Sequence, residues 1–281
     1  MMDCKLSSDG KIAYCTFNDL SQFDPDKTGK LDPVGLFMVI REAGESGWIM
    51  HDRYGVATAI SKGSGAFLVT SWVRIYPAFY SYLSTKMPAQ CEVSIVHVGR
   101  TSFVQKTDVK IKDSEELVST VYAQFVLVNL VSRRPTRFPE SFVSAYIEQT
   151  KLKKPTLHVR FSNLPPFDSK LYCHRTVVSP CDIDVYNHAK NSSYIKYCTD
   201  CVKFGALEGA YSLIKGNIHN YPITLITLVF FNELVLHDDL MVTSWEDKAK
   251  PFQIHFTIRK KDKDIMQCTF TFDVEHLGSK L

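Results

Sequence analysis

One order of elements occurs twice along this chain: a short strand, an apolar helix, then four long segments rich in Val, Ile, Phe, Tyr and Thr. In the first half the short strand is Ile12 to Phe17. A helix start follows, where Asp32 can cap and Pro33 suits the first helical position. Leu36 to Ala43 is apolar almost all round, the pattern of a helix buried on every side, and Gly44 to Gly47 mark its expected end. Strand-like segments then cover Phe67 to Tyr76, Cys91 to Val98, Ser102 to Ile111 and Leu117 to Val131, with partial alternation. Ser132 to Pro139 breaks the pattern, and the charged stretch to Pro155 reads as a connector.

The second half repeats the order. Leu157 to Phe161 and Arg175 to Val178 are strand-like, and a helix runs from about Ala189 to Leu207. Strands follow at Thr224 to Phe231, Asp239 to Trp245, Phe252 to Ile258 and Met266 to Val274. Shifting the first half by roughly 157 residues lays the helix at 33–46 over 190–203, and Phe67 to Tyr76 over Thr224 to Glu233. An apolar helix must be covered, and the strands supply the cover. The expected class is therefore α+β, with one buried helix wrapped by a long antiparallel sheet and that unit present twice, the plan of a double hotdog fold. The expected division is 1–138, a connector at 139–155, and 156–281. A chain of 281 residues with 18 Phe and 13 Tyr can fill two such cores.

Composition narrows the function classes. A net charge of +3 with pI near 8.3 is too mild to argue for nucleic acid. Basic clusters at Arg133-Arg134, Lys151 to Lys154 and Arg259 to Lys263 are either solvated loops or contacts for an anionic ligand such as a phosphorylated cofactor. Eight scattered cysteines fit reduced thiols in an intracellular protein better than a disulfide frame. The first ten residues lack an apolar h-region and an Arg-rich stretch, so neither a secretory nor a transit peptide is expected. The longest apolar runs, such as Tyr221 to Phe231, are too short for a membrane span. The chain finishes Ser279-Lys280-Leu281, a peroxisomal import address read by a receptor, so peroxisomal localisation with that receptor as a partner is expected. No Gly-rich phosphate loop and no Gly-x-Ser-x-Gly elbow occurs. Cys198-x-x-Cys201 has redox or zinc spacing, but Tyr194, Cys198, Cys201 and Gly205 step along one helical face and read as core. Neither a metal nor a cofactor is expected.

The densest chemistry lies between the strand Arg175 to Val178 and the second helix. There Asp182, Asp184, Asn187, His188 and Asn191 fall within ten residues. A carboxylate at that place can activate a water or attack a carbonyl, if apolar walls lift its basicity. The first N–H groups of the helix offer donors to a developing oxyanion. Acyl transfer needs that combination. The bland alternative is that Asp182 or Asp184 merely caps the helix while His188 is a satisfied core residue. Under the half-to-half shift Asp184, His188 and Glu233 fall near Lys27, Leu31 and Tyr76, so one active site per chain is expected.

These residues resemble a known family. Asp182, Asp184, His188, Asn191 and Tyr194 fall on the pattern Asp-x-Asp-x-Asn-x-His-Val-Asn-Asn-x-x-Tyr of hotdog thioesterases of the acyl-ACP and 4-hydroxybenzoyl-CoA thioesterase type. Thr227-Leu-Val-Phe-Phe-Asn-Glu233-Leu is similar to the plant acyl-ACP thioesterase segment Thr-Leu-Glu-Tyr-Arg-Arg-Glu-Cys, with Glu233 in place of its final Glu. In the first half the apolar helix after Leu31 and Pro135-Thr-Arg-Phe-Pro139 also resemble the family. The resemblance covers roughly residues 12–275 and is specific in the second half. It implies Asp184 as the central carboxylate, with His188 and Glu233 positioning and activating water, and Tyr186, Asn191 and Tyr194 lining the substrate site. The chain departs where the family has Asn two residues after the Asp: Tyr186 stands there and Asn187 one place later. Either Asn187 supplies the carboxamide or Tyr186 supplies a hydroxyl donor.

The implied activity is hydrolysis of an acyl thioester, acyl-CoA or acyl-ACP, and the terminal tripeptide favours acyl-CoA. Two other readings stand beside it. A hotdog enoyl-CoA hydratase resembles Asp-x-Asn-x-x-His, whereas the spacing from Asp184 to His188 is four. A non-catalytic acyl-CoA-binding protein would keep the fold without turnover. Two hotdogs in one chain already form a dimer-like unit, so both monomer and homodimer fit.

Overall fold

The computed structural model describes residues 2–23, 31–50, 63–82, 88–155, 165, 169–184, 187–250 and 252–273. Tyr186, the expected strand Leu157 to Phe161 and Ser279-Lys280-Leu281 lie outside them. The chain divides into two compact units, Met1–Leu157 and His158–Leu281.

In the first unit β1 (Met2–Leu6), β2 (Ile12–Phe17), β3 (Ser64–Ile75), β4 (Ala89–Val98), β5 (Ser102–Ile111) and β6 (Leu117–Asn129) lie in the order β1-β2-β4-β5-β6-β3. Every neighbouring pair among them is antiparallel. Helix α1 (Pro33–Met50) packs on β1, β2, β4 and β5. Its cap is the expected one, since Asp32 Oδ1 accepts the Gly35 N–H at 3.0 Å. The helix does not stop at Gly44 to Gly47 but runs on to Met50. Those glycines serve close approach rather than termination: a Cβ on Gly47 would meet Val93 Cγ1 of β4 at 3.1 Å. Leu36, Val39 and Ala43 are fully buried beneath the sheet.

Residues 139–155, expected as a connector, instead carry helices α3 (Glu140–Ala145) and α4 (Ile147–Lys151), while α2 (Pro77–Tyr82) follows β3. Phe138, Phe142 and Tyr146 are buried against Phe103, Ile95 and Leu127 in one cluster. The charges at this segment drew the sequence reading outward, but its aromatic positions repeat every four residues and bury one face.

In the second unit β7 (Tyr172–Val177), β8 (Ile223–Phe230), β9 (Asp239–Glu246), β10 (Gln253–Lys260) and β11 (Lys263–Phe272) lie in the order β7-β9-β10-β11-β8, again all antiparallel. Replacing β7, β8, β9, β10 and β11 by β2, β3, β4, β5 and β6 reproduces the order in the first unit, so the two units repeat in topology and not only in sequence order. Helix α5 (Asn191–Leu207) packs on β7 and β9, with Tyr194, Ile195, Cys198, Cys201, Val202, Gly205 and Ala206 buried. The Cys198–Cys201 stripe is thus buried in the core face of the helix. At Gly205 a Cβ would stand 2.6 Å from Tyr211 Oη, which itself lies 2.7 Å from Ser244 Oγ of β9. Gly205→Ala is therefore expected to lower stability by about 1–3 kcal/mol through overpacking, read as a shifted urea midpoint at unchanged slope.

Candidate active site

The loop between β7 and α5 is organised from its first residue. Pro180–Asp182 forms a 3-10 turn closed by a capping box, in which Asp182 Oδ2 accepts the Ser179 Oγ hydroxyl at 2.6 Å and the Ser179 N–H at 3.0 Å. Its Oδ1 accepts from Lys196 Nζ of α5 at 2.9 Å, and its main-chain carbonyl accepts the Lys190 N–H at 2.8 Å. Asp182 is 2% exposed; its bonds from Ser179 close the turn, and those from Lys190 and Lys196 tie the loop to the start of the helix. It is a fastener. Burial alone would raise its pKa, but hydrogen bonds from Ser179 and Lys196 outweigh burial and pull it from 3.8 down to about 2.

That depression has a measurable consequence. A carboxyl more acidic in the folded than in the unfolded chain adds stability that is complete above about 4 and vanishes as pH falls through about 2. The shift corresponds to about 2 kcal/mol. Asp182→Asn is expected to lose that increment at neutral pH and to flatten the acid limb of the stability profile between pH 4 and 2. Urea titrations across that window check it, and an unchanged acid limb would overturn the assignment.

Asp184 closes the next turn. Its N–H donates to the His188 carbonyl at 2.8 Å, its carbonyl accepts the Asn187 N–H at 3.1 Å, and its Oδ1 accepts the His188 N–H at 3.2 Å. Asn187 takes the left-handed φ of +63° that this turn requires, a conformation asparagine tolerates. Ile183 and Ala189 form an isolated bridge on either side. The helix therefore begins at Asn191, two residues later than expected from the apolar pattern, because Ala189 is extended and its N–H donates to the Leu234 carbonyl at 2.9 Å. Lys190 caps the helix without a side-chain hydrogen bond, its Nζ donating instead to the Cys181 carbonyl at 2.8 Å.

Glu233 comes from the loop after β8, where the first unit has Tyr76 and helix α2. The structure sets His188 Nε2 3.4 Å from Glu233 Oε2, with the two side chains 29% and 33% exposed. Residues 45 positions apart in the chain are thus brought together. The contact is held by the neighbour of Glu233. The Leu234 N–H donates to Tyr194 Oη at 3.1 Å, and its carbonyl takes the Ala189 N–H. Further along the loop, Asp238 Oδ2 accepts the Val235 N–H at 3.0 Å, and Asp238 Oδ1 pairs with Lys260 Nζ at 2.6 Å.

Tyr194 is 4% exposed and packs edge-on against Phe230. Its hydroxyl bonds to main chain, so the structure gives it a part in holding the loop of Glu233. Burial pushes this hydroxyl's pKa up, and the charges of Glu233, Asp184 and Asp238 push the same way. Asn191 opens α5 in a half-buried position, and Asn187 is exposed at the turn. At the positions matched to the site in the first unit, Leu31 is a buried core residue and Lys27 lies outside the described residues.

Sequence reasoning missed the pairing of Asp238 with Lys260, and it offered a capping role for Asp182 only as the alternative to chemistry. Lys260 belonged to a basic cluster offered as solvated or ligand-binding, whereas Lys260 and Arg259 pair with Asp238 and Asp264. Register across β9 and β10 brings Lys260 to Asp238, and register across β10 and β11 brings Arg259 to Asp264.

No family model matches the sequence, and no curated protein does. Solved structures do match. An acyl-ACP thioesterase from Bacteroides thetaiotaomicron is 17% identical with a TM-score of 0.70, over 95% of this chain and 100% of that chain. A putative oleoyl thioesterase from Lactobacillus plantarum is 14% identical with a TM-score of 0.74, over 96% and 99%. The 12:0-ACP thioesterase from Umbellularia californica is 14% identical with a TM-score of 0.71, over 96% and 99%. The chain shares the fold of these proteins along almost its whole length.

Proposed function

We propose that this protein is an acyl-thioester hydrolase built as a tandem double hotdog, with one active site formed by Asp184, His188 and Glu233 in its second unit. The observation that carries the reading is the 3.4 Å approach of His188 to Glu233, beside a turn locked by Asp184, at the head of a buried helix. The shared fold with acyl-ACP and oleoyl thioesterases supports it.

The chemistry follows from the arrangement. With Asp184 in the central role and His188 and Glu233 orienting the water, a carboxylate takes a proton as the water oxygen adds to the thioester carbonyl. The resulting oxyanion is stabilised by N–H groups in the first turn of α5, whose dipole favours negative charge. Collapse breaks the C–S bond, and the departing thiolate recovers the proton.

Within that activity we assign acyl-CoA as the substrate and the peroxisome as the compartment. Ser279-Lys280-Leu281 supports both, since peroxisomes hold acyl chains as CoA thioesters. The exposed Lys261 and Lys263 give further support, because Asn232 Nδ2, next to Glu233, donates to the Asp264 carbonyl at 2.8 Å and so brings their hairpin beside the site. The deciding experiment measures free thiol from a panel of acyl-CoAs and matched acyl-ACPs, with Asp184→Ala as control. Thiol release from acyl-CoA, lost in the control, is the expected result. Hydration of enoyl-CoA without thiol release would establish a hydratase instead, and tight binding without turnover would establish a carrier.

A further inference from the structure

Cys4 and Cys15 oppose each other across β1 and β2, with their sulfur atoms 2.7 Å apart. Opposed residues of an antiparallel pair have Cα atoms about 4.5–5.5 Å apart, inside the window of about 4.4–6.8 Å that disulfides span. The register therefore places the two sulfurs within reach of a bond. Their access differs, since Cys4 is half-buried and Cys15 is fully buried, with its Sγ 3.6 Å from the Ala43 carbonyl of α1. Cys91 opposes Cys15 from β4 and is buried as well. In this row of three thiols, solvent reaches Cys4, and Cys4 reaches Cys15. Burial pushes both thiols up, so at neutral pH the reactive thiolate is the minor form and the pair reacts slowly.

We propose that Cys4 and Cys15 form a hydroperoxide-responsive disulfide site that staples the N-terminal strand to the sheet. The Cys4 thiol gives up its proton, the thiolate attacks the O–O bond of hydrogen peroxide and becomes a sulfenic acid, and the expelled hydroxide leaves with that proton as one water. The Cys15 sulfur then displaces the hydroxyl, the S–S bond forms, and the Cys15 proton departs with that hydroxyl as a second water. Two thiols are oxidised while one peroxide is reduced to two waters. Among the described residues β1 pairs with β2 alone, so it is an edge strand held on one side, the kind of element that opens readily.

The test treats the folded full chain with hydrogen peroxide and maps its peptides without reduction. The expected product is a linked Cys4–Cys15 peptide, with amide exchange at residues 2–6 slowed by about tenfold, both reversed by dithiothreitol. Cys4→Ser alters a half-buried group and serves as the control that folds; it should show neither the link nor the slowed exchange. The proposal is overturned if Cys4 proceeds to the sulfinic acid while Cys15 stays a thiol, if Cys15 bonds to Cys91, or if the link forms only after unfolding.

Discussion

Replacing Asp184 by alanine should lower thiol release by about 10²–10⁴-fold, the range for a positioned acid/base group. The residue has two duties, and they separate by substitution. Its carboxylate is the charged group assigned to water activation, while its Oδ1 holds the His188 N–H at 3.2 Å. Asp184→Asn keeps an oxygen acceptor for that N–H and removes the charge. It should leave the stability nearly unchanged and still lose most of kcat, with KM little altered. A variant Asp184→Asn that turns over at the wild-type rate would end the assignment. One further measurement separates base catalysis from an acyl-enzyme. In a single turnover in labelled water, isotopic oxygen enters the Asp184 carboxylate only if that carboxylate has attacked the acyl carbon and been released by water.

Glu233→Gln should lower kcat on the order of 10²-fold, because the amide keeps the shape of the side chain but presents no charge to His188. His188 and Glu233 act as one unit in this reading, so the double variant Glu233→Gln with His188→Ala should be scarcely slower than the worse single variant. Fully additive losses would show that the 3.4 Å approach is incidental. Tyr194→Phe probes the same contact from behind. It removes the acceptor of the Leu234 N–H, leaving a buried donor at a cost of about 1–3 kcal/mol, and frees the segment carrying Glu233 to move. Its rate should fall less than that of Glu233→Gln, and its stability should fall more.

Much of the fold was legible because it rests on local signals. Asp32 and Pro33 announce the start of α1, and the elements found along both halves sit close to the segments read from apolar pattern. The misjudged places share one cause. Gly44 and Gly47 read as a helix end, and the charged stretch after Pro139 read as a connector. In both, contact with a distant strand overrode local propensity: Gly47 lies against Val93, and Phe142 lies among residues of β4, β5 and β6. The site shows the same division. Asp184, His188 and Glu233 were named from motif, yet the fasteners Asp238, Lys260 and the Leu234 main chain were not.

By itself the sequence determined that two similar α+β units follow one another and that Asp184, His188 and Glu233 all fall in the second. Both are properties of residue order and type, which survive without any contact being known. The tertiary structure decided which of those groups act on one another. Asp182 is spent on Ser179 and Lys196, Tyr194 on the Leu234 main chain, and Glu233 stands against His188. Partner choice depends on strand register and loop fastening across 40 residues and more, because a hydrogen bond is made by distance and angle, and a chain's letters specify neither until it has packed.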